Sequence, residues 1–148
     1  MTSEAWIQRT KVGSKRTVPI LLLILSFCFF SCAWESVDKK LERQTEQYNA
    51  RYCPQRLDDF LTMDSMCYSV QGRVMHYYYS LRDDNLRDDA EKLGNLRQIL
   101  ADAHLADVRH NVALRHLRDH QVSFHYHYYS LPEHRPLWEM IYSPQDYR

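Results

Sequence analysis

The sequence predicts an α+β domain: an antiparallel sheet of about four strands with helices on one face, in the order α-β-β-α-α-β-β. Three observations carry that expectation. Residues 62–70 and 73–81 are rich in β-formers and meet at Gln71-Gly72, a two-residue link of hairpin type. Residues 122–130 and 137–143 make a second pair: Val122, Phe124, Tyr126 and Tyr128 share one face, as do Trp138, Met140 and Tyr142 on the partner. Apolar residues at helical spacing precede each pair.

Residues 35–52 place Val37, Leu41, Thr45, Tyr48 and Tyr52 along one stripe, with Lys39, Lys40, Glu42, Arg43 and Glu46 opposite. This helix ends at Cys53-Pro54, because the residue before proline avoids the α region. Residues 54–60 read as a connection. In the second strand Met75, Tyr77, Tyr79 and Leu81 alternate with Val74, His76, Tyr78 and Ser80. After a polar turn at 82–85, a helix over 86–106 aligns Leu86, Ala90, Leu93, Leu96 and Leu100; Gly94 weakens it by about 1 kcal/mol relative to alanine. Asn111 caps a shorter helix through Arg118 that buries Leu114 and Leu117. Residues 131–136 join the last two strands. His76 to Leu81 and His127 to Leu131 echo each other one residue out of step, which exchanges faces, so the echo reads as convergent composition.

The apolar run 18–32 follows Arg9, Lys11, Lys15 and Arg16 and closes on Ser31-Cys32. A positive start, an apolar run and a small-residue exit describe an export signal. The run is shorter than the roughly 20 apolar residues of a comfortable spanning helix. Residues 1–31 are therefore expected to be a signal peptide and 32–148 a single α+β domain. Phe29-Phe30-Ser31-Cys32 resembles the lipobox of bacterial lipoproteins, which implies an acylated Cys32 and a lipid anchor in the membrane. Cleavage after Ala33 and retention as a short tilted helix are the alternatives. Cys28 is a poorer lipid site, since bulky Phe27 precedes it.

Of 19 basic and 19 acidic residues, four basic and one acidic lie before Cys32, leaving 15 against 18 and a formal charge of −3. That balance, with no long basic run, argues against nucleic acid as a partner. Only Gly72 and Gly94 follow the leader, so no glycine-rich loop cradles a nucleotide. In an oxidising compartment Cys53 and Cys67 can form a disulfide, worth ~3 kcal/mol in the chain-entropy model; Cys67 reads equally as a buried apolar residue.

Together these segments resemble small uncharacterised lipoproteins of gram-negative bacteria. The similar elements are the lipobox, the first helix, and Cys53-Pro54 followed by Asp58 or Asp59. With them go the Thr62-x-x-Ser65 strand start, Tyr77-x-Tyr79-Ser80-Leu81, Val122-x-Phe124-x-Tyr126 and Ser143-Pro144-Gln145-Asp146-Tyr147. The pattern sets a turn glycine just before Val122, where this chain has Gln121. The resemblance implies a cell-envelope lipoprotein facing the periplasm or exterior, and it carries no catalytic residue across.

Strand alternation puts His125 and His127 on the face opposite the core, where His76 joins them if the two aromatic strands are neighbours. Neutral imidazoles grouped this way can bind Zn²⁺ or Cu²⁺; an ordinary solvated face with cross-strand pairs is the plainer account, and no acid or cysteine ligand is placed nearby by the sequence. Histidines 104, 110, 116 and 120 are scattered on helices. Adjacent aspartates at 58–59, 83–84 and 88–89 suit turns and helix starts better than acid–base catalysis. No Gly-x-Ser-x-Gly turn or His-Glu-x-x-His pair is present. The expected function is that of a non-enzymatic binding or structural module, membrane-anchored, without cofactor, contacting an envelope protein. Its binding face is His76, Tyr78, His125, His127 and Tyr129. The alternative is a periplasmic metal-binding or sensing module using the same histidines.

Overall fold

The computed structural model describes residues 36–82 and 89–148. The leader with Cys28, Cys32 and Ala33, and the segment from Asp83 to Asp88, lie outside the described residues. Helix α1 (Val37–Tyr52) starts where the Ser36 side chain accepts from the Lys39 N–H, and it stops at Cys53, ahead of Pro54. Strands β1 (Gln55–Arg56), β2 (Leu61–Ser69) and β3 (Val74–Leu81) follow. Asp89 caps α2 (Ala90–His110), Asn111 caps a 3-10 turn (Val112–Leu114), and α3 (Arg115–Asp119) leads into β4 (Ser123–Ser130) and β5 (Arg135–Tyr142). Among the described residues no helix is long and apolar enough to cross a membrane.

The strands form one sheet in the order β1-β2-β3-β4-β5, with helices packed on one face, so the α+β class stands. Both hairpins are present where alternation put them. Two features of the sheet differ from expectation. β3 and β4 pair in parallel, making the sheet mixed rather than antiparallel throughout. The reason lies in the connection between them. A 21-residue helix runs about 30 Å and an eight-residue strand about 26 Å, so α2 returns the chain along the sheet and β4 sets off in the direction of β3. The second difference is β1, which pairs Gln55 with Met63 and Arg56 with Thr62 inside the expected connection. Two residues are too few to show a period.

The covered face is built from aromatic rings. Tyr79 stacks on Tyr128 at 5.1 Å, Tyr128 on Trp138 at 5.1 Å, and Tyr77 on Tyr126 at 5.0 Å. Leu41, Val108 and Leu117 from the three helices close over this layer. Buried phenols find partners at its rim: Tyr68 donates to Asp38 and Tyr142 to the Ala101 carbonyl, both at 2.7 Å. Tyr147 donates to the Val122 carbonyl at 2.7 Å, while Asp146 accepts from the Ser143 N–H and hydroxyl, also at 2.7 Å. The Ser143-to-Tyr147 motif is thus a turn that inserts its last ring beside Phe124.

Helix α1 also protects an edge. Asn49 donates to the Met66 carbonyl at 2.6 Å and accepts from the Met66 N–H at 2.9 Å, satisfying β2 beyond the end of β1. From α2, His104 lies over Tyr126 at 3.9 Å and shares a hydrogen bond with the Tyr128 hydroxyl. Burial pushes its pKa down to about 4. Gln121 occupies the glycine position of the turn before β4 with φ 57°, a left-handed conformation that disfavours a side chain.

Gln121→Gly is therefore expected to raise the unfolding free energy by about 1 kcal/mol in urea titration, the released strain outweighing the added flexibility of the unfolded chain. His104 sets a pH dependence. Its unfolded pKa is near 6.5 and its folded value about 4, so its contribution is whole above the higher value. It is lost as pH falls toward the lower one, by about 3 kcal/mol. Unfolding titrations between pH 7 and 4 should show that decline, and His104→Phe should flatten it.

Candidate functional site

The sheet face opposite the helices carries the side chains left over by the core. Parallel register sets His76 beside His125 and Tyr78 beside His127, and the β4–β5 hairpin sets Glu139 beside His127. The imidazoles are half-buried and in contact. His76 Nδ1 is 3.0 Å from His127 Nε2, and His127 Nδ1 is 3.0 Å from Glu139 Oε1. A carboxylate only accepts, so the His127 proton sits on Nδ1. Its Nε2 is then an acceptor, and His76 donates to it from Nδ1.

Ring packing fixes the cluster further. Tyr78 stacks on His127 at 4.8 Å, His76 on His127 at 5.3 Å, and His125 meets His76 edge-on at 5.1 Å. Burial pushes the His76 pKa below its usual value, the neighbouring His125 and His127 add to the shift, and Glu139 opposes it. Burial followed by His127 lowers His125 in the same way. Tyr78 is pushed up to about 12, by burial first and then by Cys67, whose Sγ lies 4.0 Å from the Tyr78 hydroxyl.

Four of the five sequence-predicted face residues, His76, Tyr78, His125 and His127, thus form one cluster. Tyr129 shares the face, but its ring contacts His134 of the β4–β5 turn. Glu139 was missed, although it was legible: once Trp138, Met140 and Tyr142 point inward, Glu139 must point outward beside β4. The expectation that no acid or thiol stands nearby is corrected by Glu139 and by Cys67, the cross-strand partner of His76. Cys53 and Cys67 are free thiols rather than a bridge. Alternation separates them: Cys67 is exposed on this face, whereas Cys53 packs against the core, and burial followed by the Asp64 charge raises its pKa.

Of the paired aspartates, those among the described residues have local roles. Asp58 accepts from the Phe60 and Leu61 N–H groups and Asp59 pairs with Arg56 at 2.8 Å. Asp89 caps α2, and the Lys92 hydrogen bonds hold its carboxyl below the usual range. An open groove of 480 Å³ runs between α2 and β5 past Arg97 and Glu139, and a more apolar one of 340 Å³ lies between α1 and α3 past Leu41 and Leu114.

The fold has relatives. The chain belongs to the family described as a domain of unknown function (DUF8479), whose profile matches residues 36–137. No curated protein sequence matches it. Among solved structures, a Pseudomonas aeruginosa protein described as secreted is similar with a TM-score of 0.56 and 16% identity, over 76% of this chain and 98% of that one. EpsS, the pilotin of the Vibrio vulnificus type 2 secretion system, is similar with a TM-score of 0.54 and 9% identity, over 75% and 94%. AspS, a type II secretion system pilotin of Vibrio cholerae, is similar with a TM-score of 0.51 and 10% identity, over 74% and 90%. At these identities the likeness is one of fold.

Proposed function

We propose that the chain is a non-enzymatic module of the gram-negative cell envelope, tethered to a membrane through a lipid on Cys32 and binding a partner protein. The observation that carries this reading is the sheet face opposite the described helices, where the stacked Tyr78, His127 and His76 rings, with His125 edge-on to His76, border exposed Ile141. Stiff aromatic rings give contact area at low entropic cost, which is why such residues concentrate at binding hot spots. Two solved structures of similar fold are secretion-system pilotins, which supports a partner-binding role for this body. The resemblance of Phe29-Phe30-Ser31-Cys32 to a lipobox supports the tether.

Mass spectrometry of the membrane-extracted protein is expected to find a diacylated or triacylated cysteine at position 32, and Cys32→Ala should move the chain out of the membrane fraction. A full-length, unmodified product in the cytosol overturns the tether. A photo-crosslinking residue at Ile141 should give a discrete adduct in intact cells, while the same residue at exposed Ile99 on α2 should not. Equal labelling from both positions overturns the face.

A further inference from the structure

We propose that His76, His125 and His127 form a binding site for a divalent first-row transition metal ion of the Zn²⁺ or Cu²⁺ kind. One ligand nitrogen from each lies within 4.8 Å of the others. Three imidazoles from two neighbouring strands, with a fourth position on the solvent side for water, match the donor set these ions take. Tetrahedral ligands about 2.0–2.1 Å from zinc stand roughly 3.3 Å apart. His76 Nδ1 and His127 Nε2 are already 3.0 Å apart, so that pair need move only a few tenths of an ångström, and the His125 nitrogen, within 4.8 Å of them, closes by at most about 1.5 Å.

Glu139 makes this more than a cluster of surface histidines. By accepting from His127 Nδ1, it fixes the tautomer that leaves Nε2 free to coordinate, the carboxylate–histidine–metal arrangement of many metal sites. Tyr78 stacked on the same ring holds its plane. On metal entry His76 gives up its hydrogen bond to His127 and carries its proton on Nε2 instead. The imidazoles stay neutral and no net charge is lost. This inference goes beyond the envelope role and stands apart from it, since a chain without lipid or partner would still bind the ion.

The test is calorimetric titration of the full chain, purified in detergent without a histidine tag, with Zn²⁺ and separately with Cu²⁺. One ion per chain is expected. His76→Gln/His125→Gln/His127→Gln should weaken binding at least a hundredfold, and Glu139→Gln ten- to a hundredfold. A variant replacing His110, His116 and His120, which lie outside the sheet, should bind as the native chain does. Circular dichroism checks each fold. If the triple variant unfolds, His125→Gln and Glu139→Gln give the reading. No binding by the native chain, or binding unchanged in the sheet variants, overturns the site.

Discussion

The parallel pairing of β3 with β4 determines what stands next to what on both sides of the sheet. It sets Tyr79 against Tyr128 on the covered face and His76 against His125 on the other, through one register. Had the two hairpins met antiparallel, the same strands would have kept their inward and outward residues while exchanging every neighbour across the β3–β4 seam. The Tyr79–Tyr128 stack and the contact of His76 with His125 behind it are thus two consequences of one crossover. The crossover in turn rests on the length of α2 and on its seat against the sheet, where His104 covers Tyr126.

A core so rich in phenols needs outlets for its hydroxyl groups. A buried hydroxyl without a partner costs about 1–3 kcal/mol, and several such losses would consume the stability of a small domain. Here the outlets are set by the periphery. Asp38 of α1 accepts from Tyr68, Ala101 of α2 from Tyr142, and the C-terminal turn returns Tyr147 to Val122. The same periphery guards the sheet margin, where Asn49 takes the place of an absent strand beside Met66. Helix, tail and edge are therefore coupled through polar groups as well as through apolar area.

Much of this was legible because it is local. The hairpins follow from period two and a Gln71-Gly72 link, the cap ahead of the short third helix from Asn111, and the α1 stop from Pro54, while the expected start of the second helix at Leu86 lies outside the described residues. The position before Val122 was legible in a different sense: a glycine-type turn filled by Gln121 does adopt the left-handed backbone. Strand direction was not legible, since alternation is identical in parallel and antiparallel neighbours and the deciding quantity is the length of a helix between them. β1 is fixed by its pairing with β2 rather than by its own two residues. Glu139 and Cys67 escaped for a related reason, because each joins the candidate site only through a cross-strand partner.

Alternation also explains how eight-residue strands serve stability and recognition at once. In β4, Phe124, Tyr126 and Tyr128 are each at most 3% exposed, while His125, His127 and Tyr129 between them remain partly open. A change on the outer set removes no core volume, so its cost is confined to stacking and to one or two hydrogen bonds. The outer set is nonetheless held firmly, since each imidazole is flanked by rings whose backbone is pinned by the inner layer. Such a face leaves its chemistry free to vary, because the sheet fixes the spacing of the strands that carry the rings. Its binding capacity is then decided by side-chain chemistry at the surface, independently of the packing that keeps the domain folded.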